Sequence, residues 1–391
     1  MRLKEGKTLL RRAGVAAGIA FAIMVADYLV GNWEFPVFDD SSTLQPLALM
    51  ASVVSDDKEE DDSIFCVNLG VEKELVAALD PEFGDSIGHV AVTSRQSLRK
   101  AIGMARKAEA KNIFVDVSFS RNLSGPQDSA LFAEIAADPR IVVATHAEDL
   151  GEVPDAIASN EAYSDYRGLK TNGFTRYQYL QPDGESAALR LYRQTTGACI
   201  RRHGAAYSDD GRLCYNSLFI RLPKSAAERT GSDGLVRYPY FSSQILGNLT
   251  EEEVCAMMRG KTVLIGDFDN DLHETYVGQC PGPMINYHAY KALLRGDHLV
   301  KFWPGLLLLL VYSIMFYFLL WPVYPRISML GTRLQNILGT VAEIIGFGGV
   351  ICVVRVVWFS AWHVSIIAAL PATVATLIIL GRRLGLKVGA D

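Results

Sequence analysis

The apolar residues of this chain are concentrated in one stretch near the start and three within the last ninety residues, with roughly 270 mostly polar residues between them. That layout is a membrane topology, because about 20 apolar residues in a helix cross a hydrocarbon core of roughly 30 Å. The first stretch, residues 13–31, is interrupted only by Asp27 and comes after a basic leader, residues 1–12, in which Arg2, Lys4, Lys7, Arg11 and Arg12 face the single acid Glu5. Cationic flanks stay in the cytoplasm, so the chain beyond Gly31 is expected to cross. A cleaved signal peptide is the competing reading of such a leader. No small-x-small cleavage site stands after it, the next residues being Asn32, Trp33, Glu34 and Phe35.

At the other end, residues 302–321, 337–358 and 362–380 each meet the length of a spanning helix. Four crossings return the tail, 381–391, to the cytoplasm. The cations agree: Arg326 and Arg333 lie between the second and third spans, and Arg382, Arg383 and Lys387 come after the fourth. Trp303, Trp321, Tyr324, Trp358 and Trp362 sit at span ends, where an amphipathic ring meets both water and lipid. Two ionisable groups lie inside the third span. Arg355, near its outer end, must snorkel or pair, and Glu343 is either functional or a partner of Arg333.

Residues 32–300 carry 26 Lys and Arg against 39 Asp and Glu, a net of −13, whereas the whole chain stands at −5. An acidic exterior argues against nucleic acid as a partner, since phosphate backbones require clustered cations. Of the six cysteines Cys352 lies in a span, and a compartment outside the cytoplasm permits disulfides among the rest. Cys199 and Cys214 flank a polar stretch that reads as a hairpin tip, and Cys255 with Cys280 is a second candidate pair, leaving Cys66 in an apolar strand.

Residues 32–62 read as an acidic linker ending in SDDKEEDDS. From 63 to 300 the pattern becomes that of an α/β domain. SIFCVNLG, KNIFVDVSFS and RIVVATH are strand-like runs, with helical spacing in SRQSLRKAIGMARKAEA and DSALFAEIAA between them. That alternation predicts a sheet with crossover helices. Residues 150–232 read as hairpins and loops. Order returns with DGLVRYPYFSSQIL, the helix TEEEVCAMMRG opened by Thr250 and Glu253 as a capping box, the strand KTVLIGD, and the helix MINYHAYKALLRGD, which runs almost directly into the second span.

The segment GKTVLIGDFDNDLHETYVGQCPGPMINYHAYKALLRGD resembles the closing motif of the type-two CHASE domain, the cyclase and histidine-kinase-associated sensory extracellular module. In that family a strand ending Ile-Gly leads to a polar loop with a Thr-Pro pair, a Pro-Gly turn and a helix beginning near a His-Ala pair. The counterparts are Ile265 and Gly266, His273 with Thr275, Pro281 with Gly282, and His288 with Ala289. KNIFVDVSFS, Asp128 and DGLVRYPYF resemble further family landmarks in the same order, and the likeness covers 63–297. Tyr276 replaces the family's Pro, and GHVAVTSR stands where a Trp-Pro-rich stretch is usual. The resemblance implies an α/β extracytoplasmic sensor domain inserted between one N-terminal and three C-terminal transmembrane helices.

Candidate ligand-binding residues are Asp116, Arg237, Asp269, Asp271, His273, Thr275 and His288. Asp116 lies inside an apolar run, where a carboxylate needs hydrogen bonds from backbone or from Arg237, or else a ligand. Asp267, Asp269, Asp271 and His273 are weak candidates for a metal, set against a plain solvated loop. The calcium-hand pattern fails, with Leu272 where Gly is required. His288 is either packed or functional. No catalytic motif is found: Gly260-Lys261-Thr262 mimics a phosphate loop but precedes a strand and lacks the first glycine. The expectation is therefore a non-enzymatic, cofactor-free sensory module of a bacterial inner membrane, binding a small ligand or envelope protein. Its cytoplasmic pieces are smaller than the roughly 50 residues of a domain, so output is expected from a separate cytoplasmic or membrane protein. A structural docking subunit is the alternative, an exterior metal-dependent hydrolase a third reading, and self-association is left open.

Overall fold

The computed structural model describes residues 2–32, 62–80, 82–146, 153–164, 176–181, 184–223, 226, 240–321, 332–362 and 369–383. They form two compact units, one of Met1–Leu47, Arg201–Tyr215 and Leu299–Asp391, the other of Ala48–Ile200 and Asn216–His298.

The second unit is built on six parallel strands, β1 (Ile64–Asn68), β2 (Asn112–Asp116), β3 (Ile141–Thr145), β4 (Glu161–Tyr163), β5 (Tyr240–Ser242) and β6 (Thr262–Gly266). Their spatial order is β5-β1-β6-β2-β3-β4, so the last strand in sequence inserts beside the first. Both faces are covered, which is why these strands read as unbroken apolar runs and not as alternating ones. Phe65, Val67, Ile113, Val115, Ile141, Val143, Val263 and Ile265 point to one side. There they meet the second helix of the chain, α2 (Arg95–Lys107), then α3 (Asp128–Ala136) and α5 (Glu251–Met258). The other face is covered by α4 (Ala187–Thr196) and α6 (Gly282–Leu294).

Side-chain caps fix the helix starts. Ser94 accepts from the Ser97 amide, Ser186 from Leu189, and Thr250 with Glu253 completes the expected capping box. The segment around GHVAVTSR forms an antiparallel hairpin, Lys73–Leu79 with Ser86–Thr93. Helix α4 was not expected. Its Ser186 cap and Gly197 terminus, at φ 73°, bracket it within a stretch read as loops.

The first unit contains helices α1 (Arg2–Gly31), α7 (Phe302–Leu320), α8 (Thr332–Trp362) and α9 (Ala369–Arg383). Three are long and apolar enough to cross a membrane, over Gly6–Gly31, Phe302–Leu320 and Gly339–Trp358. The fourth expected span is represented by the shorter apolar stretch Leu370–Gly381, and 363–368 lie outside the described residues. Ala16 and Ala20, one turn apart, let α1 approach α7 closely around Tyr312, Phe316 and Leu319. The Trp358 indole donates to the Pro304 carbonyl at 3.1 Å, tying α8 to the start of α7. Arg355 and Glu343 are both buried. Arg355 is enclosed by the described helices instead of snorkelling to the surface, and Tyr312 lies within electrostatic reach of it and of Asp27. The side chain of Arg333, the expected partner of Glu343, is outside the described residues.

A short meander, Ile200–His203, Ala206–Asp209 and Arg212–Cys214, contributes its Arg201–Tyr215 portion to this same unit. The Tyr28 hydroxyl, near the end of α1, donates to the Cys214 carbonyl at 2.9 Å and accepts from the Tyr207 amide at 3.0 Å. On its other side the meander meets the lead-in to α7, the Val300 amide donating to Leu213 at 2.9 Å. At the opposite end of α1 the Arg12 guanidinium stands over the Trp321 ring, 5.3 Å from its centre.

The disulfide expectation is corrected: Cys199, Cys214, Cys255 and Cys280 are all thiols. Cys214 stands opposite Tyr207 in its ladder and bridges Leu299 on the other side, so neither neighbour is a cysteine. Cys255 packs on α5 against the sheet core. The Cys280 thiol donates to the Ala226 carbonyl at 3.4 Å, and burial pushes it up to about 12.

Candidate functional site

The parallel strands finish together at one edge of the sheet, where Asn68 of β1, Gly266 of β6 and Asp116 of β2 lie in register. The carboxyl ends of strands are where open α/β sheets take their ligands, because loops diverge there and helix amino ends converge. The acidic loop after β6 divides into two groups at this edge.

Asp267 and Asp269 organise the loop itself. Asp267 accepts from the amides of Asp269 and Asn270 at 3.1 and 2.9 Å and from the Asn270 side chain, and meets Lys73 at 3.4 Å. Burial alone would raise its carboxyl, but these hydrogen bonds and the lysine hold it below the usual carboxylate range. Asn68 donates to Asp269 at 2.7 Å and accepts from the amides of Gly70 and Phe268. Position 70 has no room for a side chain, since a Cβ would fall 2.3 Å from the Asp267 carboxylate.

Asp271 and His273 turn the other way, toward Asp116. The His273 Nε2 lies 3.0 Å from Asp271 Oδ1, and this contact raises the imidazole above its ordinary value. Asp116 is pushed up to about 7, first by desolvation and then by the charge on Asp271, while His146 and His273 pull against the rise. The amino end of α6 closes the group: the Gly282 amide donates to the Asp271 carbonyl at 3.0 Å, and a Cβ at 282 would stand 2.4 Å from Asp271 Oδ2. Asp116 is thus a desolvated carboxyl within electrostatic reach of Asp271, His273 and His146.

The remaining candidates lie elsewhere. Thr275 closes its hairpin turn, donating to the Gly278 carbonyl at 2.6 Å. His288 is buried within α6 against the Tyr287 ring, and Arg237 lies outside the described residues. Among the described residues no three His, Cys, Asp or Glu side chains are placed to hold an ion. Asp267 and Asp269 are already spent on Lys73, Asn68, Asn270 and backbone amides, on the far side of the loop turn from Asp271 and His273.

Sequence reading missed a second charged group. Arg95, 1% exposed, meets Asp128 at 3.1 Å with Glu74 close by, and stacks on Phe119 with 4.6 Å to the ring centre. Desolvation lowers the guanidinium below its ordinary value against the opposing pull of Asp128 and Glu74. Asp128 Oδ2 also accepts from the Gly125 amide at 2.7 Å. The group joins the start of α2 to that of α3 and to the hairpin strand carrying Glu74. Nothing in the run SRQSLRK marks Arg95 as internal.

Compared with known families, residues 16–321 match the CHASE2 domain. The chain belongs to the CHASE2 domain family. The match extends past 63–297 at both ends and takes in the second half of α1 and all of α7, so these helical segments belong to the family pattern along with the α/β unit. No curated protein and no solved structure matches the chain. CHASE2 domains are extracellular sensory modules, and the α/β unit with its apolar helices is consistent with a sensory role in a membrane protein.

Proposed function

We propose that this CHASE2 protein is a receptor of the bacterial inner membrane. Residues 63–300 lie outside the cytoplasm, four spans anchor them, and the domain binds a small molecule without catalysing its conversion. The bundle passes the bound state to a separate cytoplasmic or membrane protein. The observation carrying this reading is the Tyr28 clamp, which bonds the outer end of α1 to a meander that also holds the lead-in to α7. A subunit that only docked a partner would not require a meander bonded to both α1 and the lead-in to α7. Arg12 over Trp321 supports the same orientation, because it puts the basic leader and the far end of α7 on one side.

A second reading, a docking subunit for an envelope protein, is favoured by one feature. The hairpin Lys73–Leu79 with Ser86–Thr93 exposes Leu75, Phe83 and Ile87, each at least two-thirds open to solvent.

The two readings separate in one experiment on the full chain in lipid nanodiscs. A panel of small polar molecules is screened for thermal stabilisation, since binding to the folded state raises apparent stability. Amide exchange is then measured at Tyr207, Leu213 and Val300 with each stabilising compound. The sensory reading expects occupancy to change protection there. Stabilisation with no change at those amides would favour docking.

A further inference from the structure

Beyond the Asp116 cluster, the domain holds a cavity of about 450 Å³ at the β4 edge of the sheet. It is lined by Thr145 at the end of β3, Glu161 and Tyr163 on β4, Glu185 just before α4, and Arg190 and Arg193 on α4.

Two polar atoms on this wall have no partner among the described residues. Thr145 is 4% exposed, and its hydroxyl neither donates nor accepts a hydrogen bond there. Glu161 Oε1 is buried in the same condition. Leaving such groups unsatisfied is costly, a carboxylate oxygen most of all, unless something entering the cavity supplies donors. The α4 wall has the opposite character. Arg190 Nε and Arg193 Nη1 both donate to Glu185, at 2.7 and 2.6 Å, and Arg190 Nη1 donates to the Ser159 carbonyl. Those three bonds use a minority of the ten N–H donors that two guanidiniums carry, and two cations share one carboxylate. One wall therefore lacks donors and the other has them in excess. The four charges balance only when Glu161 is counted.

We propose that this cavity takes a small zwitterion bearing an ammonium and a carboxylate, the chemical class of a free amino acid. The ammonium donates to Glu161 Oε1 and Thr145 Oγ1, and the carboxylate accepts from Arg190 and Arg193. This deepens the sensory reading, on which it rests, by naming a site and a ligand class for it.

The test uses the full chain in nanodiscs with the twenty common amino acids, and with ethylamine and acetate as half-ligands. At least one amino acid is expected to raise the melting temperature in a saturable way, with neither half-ligand doing so at the same concentration. Glu161→Gln keeps the shape and an acceptor oxygen but removes the charge, and is expected to weaken that binding about tenfold or more. Thr145→Val supplies the same comparison should the first variant fail to fold, which its ligand-free melting curve reports. No stabilisation by any amino acid, equal stabilisation by ethylamine or acetate, or unchanged affinity in both variants overturns the proposal. A compound of another class that binds and alters protection at Tyr207 also overturns it and leaves the sensory reading standing. Amino-acid binding lost in Glu161→Gln but without effect on that protection supports the cavity assignment while removing the sensory reading.

Discussion

Replacing Asp128 with alanine is expected to destabilise the α/β unit by about 3–5 kcal/mol, the range for stripping the partner from a buried charge. Arg95 is almost wholly enclosed, packed on Phe119, and meets Asp128 as its close carboxylate with Glu74 beyond. Without Asp128 the guanidinium keeps its desolvation cost and loses its main compensation, and the Gly125 amide loses its acceptor. Substituting both residues with apolar ones, Arg95→Met with Asp128→Leu, removes both charges together. It is expected to cost far less than the single change, because the attraction between buried ions does little more than offset their dehydration. Pulse proteolysis across a urea series measures both variants. A loss under 1 kcal/mol for Asp128→Ala would show that Arg95 reaches water by another route.

The second large effect is a change in pH dependence. The Asp116 carboxyl titrates near 4 in an unfolded chain and is pushed up to about 7 in the folded one. Across that window the folded state holds a proton that the unfolded state has released, so stability falls as pH rises from about 4 to about 7. Above it, the folded protein carries an ionised, desolvated carboxylate beside Asp271, only partly relieved by His146 and His273. Asp116→Asn removes that penalty. The variant is expected to match the parent near pH 4 and to exceed it at pH 8 by on the order of 2–4 kcal/mol. Melting curves from pH 4 to 8.5 decide the matter, and parallel profiles for the two proteins would refute the assignment.

Most of the secondary structure was legible because parallel strands buried on both faces leave an unmistakable record. IFCVN, NIFVD, IVVAT and TVLIG are largely apolar runs separated by helical stretches. Strand order was not legible. That β6 would insert between β1 and β2 depends on which helix covers which face, and no local signal encodes that. Helix α4 was hidden among the turn-forming residues around it, although its Ser186 and Gly197 brackets were available.

The site was legible in part for a similar reason. Asp116 stood out as a carboxylate inside an apolar run, and the fold puts it within electrostatic reach of Asp271 and His273, which are themselves in contact. Spacing alone could not separate them from Asp267 and Asp269, which the fold spends on backbone amides, Asn68 and Lys73. Thr145 and Glu161 carry no sequence mark whatever. Their importance comes from bonds they do not make, which only the packed structure displays. Cys199 and Cys214 misled because flanking a turn is not the same as facing across it.

Reporters fused after Asp297 test most directly whether the α/β unit lies outside the cytoplasm, on which the proposed receptor role depends. A phosphatase that folds only beyond the cytoplasmic membrane is expected to be active in that position, and a galactosidase that works only in the cytosol to be silent. The reverse pattern, with the galactosidase active and the phosphatase silent, would contradict that placement and the receptor role with it.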